Sequence, residues 1–169
     1  MPPAAEDHKL ELAAEVLTSG RTLRMRAFGT SMLPSIWPGD IVTIEPTHTQ
    51  EIAAGDIVLV GRHQRFFIHR LIEKHDSVWI THGDSLVHND DPVNSCKVLG
   101  RVSLIHRKNR MIVPKQRRPL FNRALAWMLC HSGAFRTVAL RLHSLCQGSS
   151  RDSSAGILPA VGRASCPRQ

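Results

Sequence analysis

The chain has 169 residues, enough for one domain with a hydrophobic core plus extensions. Its formal net charge of +8 is divided unevenly, because residues 1–100 carry 9 lysines and arginines against 13 acidic residues, whereas residues 101–169 carry 13 against 1. The four cysteines lack both the short paired spacing of a zinc site and the density of a disulfide scaffold, which argues against those two classes and favours a reducing compartment.

The N-terminal segment predicts a helix and no export signal. Residues 6–19 carry apolar side chains at three- and four-residue spacing, and Gly20 follows as a helix terminator. A secretory signal begins with basic residues followed by an apolar run, whereas charged residues occur throughout this segment. The apolar stretch at 124–135 has 12 residues, and a helix needs about 20 to span a bilayer. We therefore expect a cytoplasmic protein without a membrane-spanning helix.

The next part of the chain predicts a sheet. From Arg21 onwards apolar and basic side chains alternate, which is the period of a half-buried strand. Further short runs, β-branched or aromatic and bounded by turn residues, predict strands at 41–45, 56–60, 65–73, 77–81 and 98–106. Because no helical pattern separates them, we expect a mainly β domain over 21–113. Its architecture should be a compact curled antiparallel sheet or barrel, since closure removes exposed strand edges.

The C-terminal part predicts a basic helical extension over 114–146 and a disordered tail over 147–169. The tail is rich in Ser, Gly, Ala and Pro and lacks apolar periodicity. Within 117–145 basic residues alternate with apolar ones, so this segment could lie on an anionic membrane surface as a peripheral contact. Packing on the β domain with a solvated basic face is the open alternative, and charge alone does not choose between them.

Four boxes of sequence carry the chemistry. The first, GTSMLPSIWPGD at 29–40, places a serine after a predicted strand, then Met-x-Pro, then a Pro-Gly-Asp turn. The others are GDIVLV at 55–60, FIHRLI at 67–72, and THGD at 81–84 followed by NDD at 89–91 and GRV at 100–102. In this order the boxes resemble those of the signal peptidases and their self-cleaving repressor relatives, serine peptidases that share one β fold. The resemblance covers residues 29–102.

The third box distinguishes subtypes within that resemblance. The usual bacterial signal peptidases and the repressors carry a lysine base where this chain has His69 before Arg70. The chain is therefore similar to the endoplasmic-reticulum and archaeal subtype, and the resemblance implies Ser31 as nucleophile and His69 as general base. A serine hydroxyl needs an adjacent base to become a good nucleophile, and a neutral imidazole, with a reference pKa of about 6.5, serves this purpose near pH 7.

A third catalytic member would orient the imidazole and stabilise its positive charge. The candidates are Asp84, Asp90 and Asp91. In the Ser–His subtype a Gly-Asp pair is followed by four residues and an Asp-Asp pair, whose second member is the usual third group; this maps onto Asp91. Here five residues intervene, which leaves the register between Asp90 and Asp91 open. Asp84 is a further candidate site residue; alternatively, its carboxylate only stabilises a turn.

The oxyanion of the tetrahedral intermediate needs hydrogen-bond donors, and the backbone N–H of Ser31 is the first candidate. Related enzymes often add a hydroxyl two residues before the nucleophile, but this chain has Gly29 there; Thr30 could substitute for it. Asp40 and Asp56 are interpreted as turn residues.

The resemblance implies a serine endopeptidase that cleaves leader or signal-type peptides after small residues. Its partner is a peptide or precursor-protein substrate, and we expect no cofactor, no metal and no nucleic acid. One alternative is a repressor-type module that cleaves itself or only dimerises, but the 28 residues before the first box are too short for a DNA-binding domain. A second alternative is a non-catalytic relative that binds peptide in the same groove.

Overall fold

The computed structural model describes residues 4–62, 65–116, 125–126, 128, 137–138 and 140–141, with side chains from residue 11 onwards. The chain divides into two compact units, residues 1–132 and 133–169, and the four described residues of the second unit are helical. The predicted extension over 114–146 lies mostly outside the described residues, and the predicted tail over 147–169 lies wholly outside them.

One α-helix, α1 (Ala4–Thr18), precedes the sheet as predicted. Gly20 ends it with φ +79°, a backbone conformation that glycine adopts without a steric penalty, and its N–H donates to the carbonyl of Leu17 over 3.0 Å. Ala13 and Leu17, four residues apart on one face, are buried. Within the described ranges no helix is both long and apolar enough to cross a bilayer.

The strands form a single antiparallel sheet. They are β1 (Leu23–Arg26), β2 (Ile41–Glu45), β3 (Ile57–Arg62), β4 (Arg65–His75), β5 (Val78–His82), β6 (Val93–Asn94), β7 (Val98–Arg107) and β8 (Arg110–Ile112). Their order is β1-β2-β7-β3-β4-β5-β6, with β8 paired to β7. The predicted mainly β, antiparallel architecture is confirmed. In the part of the chain that is described, the sheet is open instead of closed into a barrel; β1 and β6 end the strand order, and β8 pairs only with β7.

Strand β3 packs on both faces of the sheet. Ile57 and Leu59 belong to a core shared with Leu17 of α1, whereas Val58 and Val60 belong to a second cluster on the opposite face. Alternate residues of a strand point to opposite faces, so burial on both faces explains why this box is apolar without interruption. The strand is therefore a rigid support for β4, which pairs with it and carries His69.

Candidate active site

Ser31 lies in the turn-rich segment between β1 and β2. The residues after it, Met32, Leu33 and Pro34, are buried, and the N–H of Ile36 donates to the carbonyl of Met32 over 2.9 Å. Met32 and Ile36 belong to the core that contains Leu17, so their burial anchors the segment, while Ser31 stays half-buried at the surface. The Met-x-Pro part of the first box thus holds the serine in place.

His69 faces Ser31 from strand β4. Its backbone lies opposite Val58 of β3, and its side chain is only 6% exposed. The Nε2 atom of the ring lies 3.0 Å from the Oγ atom of Ser31. This is hydrogen-bond distance, so the imidazole is placed to accept the hydroxyl proton. The structure therefore brings the predicted nucleophile and base together.

Asp90 faces the other ring nitrogen. Its Oδ2 atom lies 2.6 Å from Nδ1 of His69 and accepts a hydrogen bond of 2.6 Å from the hydroxyl of Thr81. Burial by itself would raise the pKa of Asp90, but hydrogen bonds from His69 and Thr81, together with the charges of His69 and Arg62, outweigh it and hold this pKa below its usual value. Asp90 is therefore an ionised partner that can stabilise a positive imidazole.

The predicted third member, Asp91, does not reach the imidazole. Its side chain is 83% exposed and forms an ion pair with Arg62. Asp90 and Asp91 are adjacent, and only the first turns its carboxylate towards His69. In this geometry Asp90 contacts the imidazole and Asp91 does not.

Asp84, the further predicted site residue, lies in a buried ion pair away from the imidazole. Nε and Nη2 of Arg70 each donate to one of its oxygens over 2.8 Å, and the two side chains are 4% and 0% exposed. The hydroxyl of Ser35, in the nucleophile segment, also donates to this carboxylate. Nη1 of Arg70 donates to the carbonyls of Gly55, over 2.6 Å, and Lys115, over 3.0 Å. Asp84 and Arg70 therefore link the segment of Ser31 to strand β4, which carries His69.

The family model described as Peptidase S24-like matches residues 2–103. The chain belongs to the Peptidase S24-like family. This family includes signal peptidases and self-cleaving peptidases as well as repressors, so the resemblance is confirmed at the level of the family. The match contains Ser31, His69 and Asp90. No curated protein matches the chain.

The sequence analysis did not predict some residues that support this S24-like site. Lys115 and Gln116 lie beyond the predicted domain end at 113, yet the side-chain amide of Gln116 donates to Asp56 over 3.0 Å. Contacts between residues so distant in the chain leave no local signal. Arg70 did have a local signal, because a charged residue inside the apolar run of a strand indicates that it has a buried partner.

Substituting Arg70 with methionine should lower the free energy of unfolding by about 3–5 kcal/mol, because Asp84 is left as an uncompensated buried charge. Urea denaturation of the two proteins measures this difference. Arg62→Met is the matched control; it breaks an ion pair whose acidic partner is exposed and should cost at most about 1 kcal/mol. Equal losses in the two variants would show that the buried pair has no special structural role.

The remaining aspartates of the boxes are turn residues, as predicted. Oδ2 of Asp40 accepts the N–H of Trp37 over 2.8 Å, and Oδ2 of Asp56 accepts the N–H of Ala53 over 3.0 Å. Both are three-residue bridges that close a turn before a strand. Among the described residues, no cluster of three or more His, Cys, Asp or Glu side chains is suited to hold a metal ion.

Proposed function

We propose that this chain is a serine endopeptidase of the Ser–His subtype that cleaves leader or signal-type peptides after small residues. The observation that carries the proposal is that the two ring nitrogens of His69 contact Oγ of Ser31 and Oδ2 of Asp90, at distances of 3.0 and 2.6 Å. Lys74, on the same strand as His69, donates to the carbonyls of Thr49 and Ile52. Its ammonium group is thus engaged in structure, which favours histidine as the base.

The chemistry is acyl transfer. Oγ of Ser31 attacks the scissile carbonyl carbon while its proton passes to Nε2 of His69, and Asp90 stabilises the resulting imidazolium. The oxyanion accepts a hydrogen bond from the N–H of Ser31. The C–N bond then breaks as the imidazolium protonates the leaving amine, which leaves an ester on Ser31. Water, deprotonated by His69, hydrolyses that ester and restores the serine.

An extended substrate can pair with part of strand β4. Strand β5 pairs with β4 only over Arg70–His75, and within the described residues no strand pairs with that edge over Phe66–His69. A peptide can add there through backbone hydrogen bonds, next to the imidazole. A pocket of about 100 Å³ beside Asp90 is lined by three apolar side chains, one of them Phe67 on the same face as His69, and by three polar or charged ones. Its size supports a preference for small side chains.

A fluorophosphonate probe, which phosphonylates activated serines, tests the proposal. We expect one adduct per chain by intact mass, located on Ser31 by peptide mapping. His69→Ala should suppress labelling, because the hydroxyl loses its base, whereas Ser103→Ala is a matched control that should label normally. The labelled protein should also lose its cleavage of synthetic peptides that carry alanine before the scissile bond.

Other outcomes of this experiment separate the alternatives. Labelling of Ser31 without peptide cleavage, accompanied by two fragments of the chain itself, would support the self-cleaving repressor-type module. Neither labelling nor cleavage, with retained binding of peptide, would indicate the non-catalytic relative. Either result would contradict the endopeptidase proposal.

The rate of labelling should be higher at neutral than at acidic pH, because a general base must be unprotonated to accept the hydroxyl proton of Ser31. Asp90 should add no ionisation of its own between about pH 5 and about pH 9. The pKa of Asp90 lies below its usual value. Its carboxylate is therefore charged at every pH in this range and becomes neutral only at a pH below that usual value. Labelling rates from about pH 5 to about pH 9 measure the profile. A rate still rising at the alkaline end would contradict a histidine base and point to a lysine such as Lys74.

A further inference from the structure

Ser85, which has no part in the triad, makes two hydrogen bonds to the nucleophile segment. Its hydroxyl donates to the carbonyl of Thr30 over 2.6 Å, and its backbone N–H donates to the carbonyl of Ser31 over 2.8 Å. The residue is 4% exposed, so both bonds are shielded from water. Ser85 therefore holds the two peptide units that meet at the nucleophile.

The first of these bonds sets the direction of the Ser31 N–H. In a planar trans peptide the C=O and N–H groups point in opposite directions. The carbonyl of Thr30 and the N–H of Ser31 belong to one peptide unit. With the carbonyl held by Ser85, and also by the N–H of Leu33 over 3.2 Å, the N–H of Ser31 points away from Ser85.

This direction is important because the Ser31 N–H is the proposed oxyanion donor. Gly29 stands where a donor hydroxyl would supplement it, and a glycine supplies no side chain. No side chain of residue 29 then supplements the backbone donor of Ser31, so the orientation of that donor has a larger effect on the rate. Donors preorganised for the developing charge cost no reorganisation during the reaction.

The loop that carries Ser85 is itself held firmly against the nucleophile segment. A Cβ atom added to Gly83 would lie 2.9 Å from the carbonyl oxygen of Ser31 and 2.8 Å from Cδ1 of Leu86, so the backbones approach closely there. Asp84, between Gly83 and Ser85, is fixed by the buried ion pair with Arg70. The hydroxyl of Ser85 is thus presented from a rigid support.

We infer that Ser85 is a positioning residue that orients the oxyanion donor of Ser31. The inference rests on the proposed peptidase function. Removal of an oxyanion donor lowers kcat by about 10²–10³-fold, so misorientation of one should lower it by about 10–100-fold. The effect should fall on kcat and leave KM unchanged, because the oxyanion forms only after the substrate has bound.

The experiment compares kcat, KM and the pH profile of peptide cleavage in Ser85→Ala and the wild type. We expect kcat to fall by about 10–100-fold with unchanged KM, and an unchanged pH profile because His69 and Asp90 are untouched. Ser85→Thr, which keeps a hydroxyl, should recover most of the rate. Ser103→Ala is the matched control: it removes another hydroxyl that donates to a carbonyl, that of Thr43 over 3.4 Å, and should keep the wild-type kcat.

Thermal unfolding of each variant shows whether the fold is retained. If Ser85→Ala does not fold, Ser85→Cys keeps the side-chain size with a much weaker donor and should show the same selective fall in kcat. The role of Ser85 is overturned if the variant that folds keeps the wild-type kcat, or if its KM rises as much as its kcat falls. Either result leaves the proposed peptidase function standing. A wild-type protein that neither cleaves peptides nor reacts with the fluorophosphonate would overturn the proposed function, and this inference with it.

Discussion

Replacing Ser31 with alanine should lower kcat for peptide cleavage by about a millionfold and leave the fold intact. The hydroxyl oxygen forms the acyl ester, and alanine offers no atom that can replace it. Ser31 is half-buried at the surface, while the neighbours that anchor its segment, Met32 and Leu33, are unchanged. Single-turnover cleavage at high enzyme concentration measures the residual rate, and thermal unfolding reports the fold.

The control for this substitution is Ser103→Ala, whose hydroxyl lies on β7 and takes no part in the triad. It should cleave at the wild-type rate. Wild-type cleavage by a purified, folded Ser31→Ala variant would show that another residue is the nucleophile. Binding of the uncleaved peptide by this variant would separate loss of chemistry from loss of binding.

Asp90→Asn should lower kcat by about 10⁴-fold with little change in KM. An amide is neutral, so it cannot stabilise the imidazolium that forms as Ser31 attacks. It can also present an N–H to Nδ1 of His69, which favours the wrong tautomer of the ring. Steady-state kinetics at equal folded fraction, confirmed by single-turnover measurements, give the two parameters.

Asp91→Asn is the matched control, since it makes the same chemical change one residue away. Its exposed side chain pairs only with Arg62 among the described contacts, so turnover should remain near the wild-type value. If Asp91→Asn lost turnover while Asp90→Asn kept it, the register inferred from the box spacing would be right and the present geometry would not be the catalytic one. Near-normal turnover in both would mean that His69 acts as a simple dyad base.

Local sequence patterns determined the mainly β architecture, and the family resemblance of the four boxes located the two residues that meet at 3.0 Å. Alternating and continuous apolar runs predicted the longer strands. Successive side chains of a strand point to opposite faces, so burial of one face or of both can be recognised in the sequence. The two shortest strands, β6 and β8, were missed, since two or three residues contain no period. Ser31 and His69 could be located because the ordered boxes that contain them resemble those of the signal peptidases and their repressor relatives.

Only the tertiary structure decided which carboxylate faces the imidazole. Asp90 and Asp91 are adjacent and chemically identical, and the loop after Asp84 has no pattern that says which of them turns inwards. That choice depends on contacts with distant residues, the hydroxyl of Thr81 and the ring of His69, which fold next to Asp90 and not next to Asp91. Sequence motifs determine residue types and their order, whereas the direction of a side chain in a loop is set by the surfaces that pack against it.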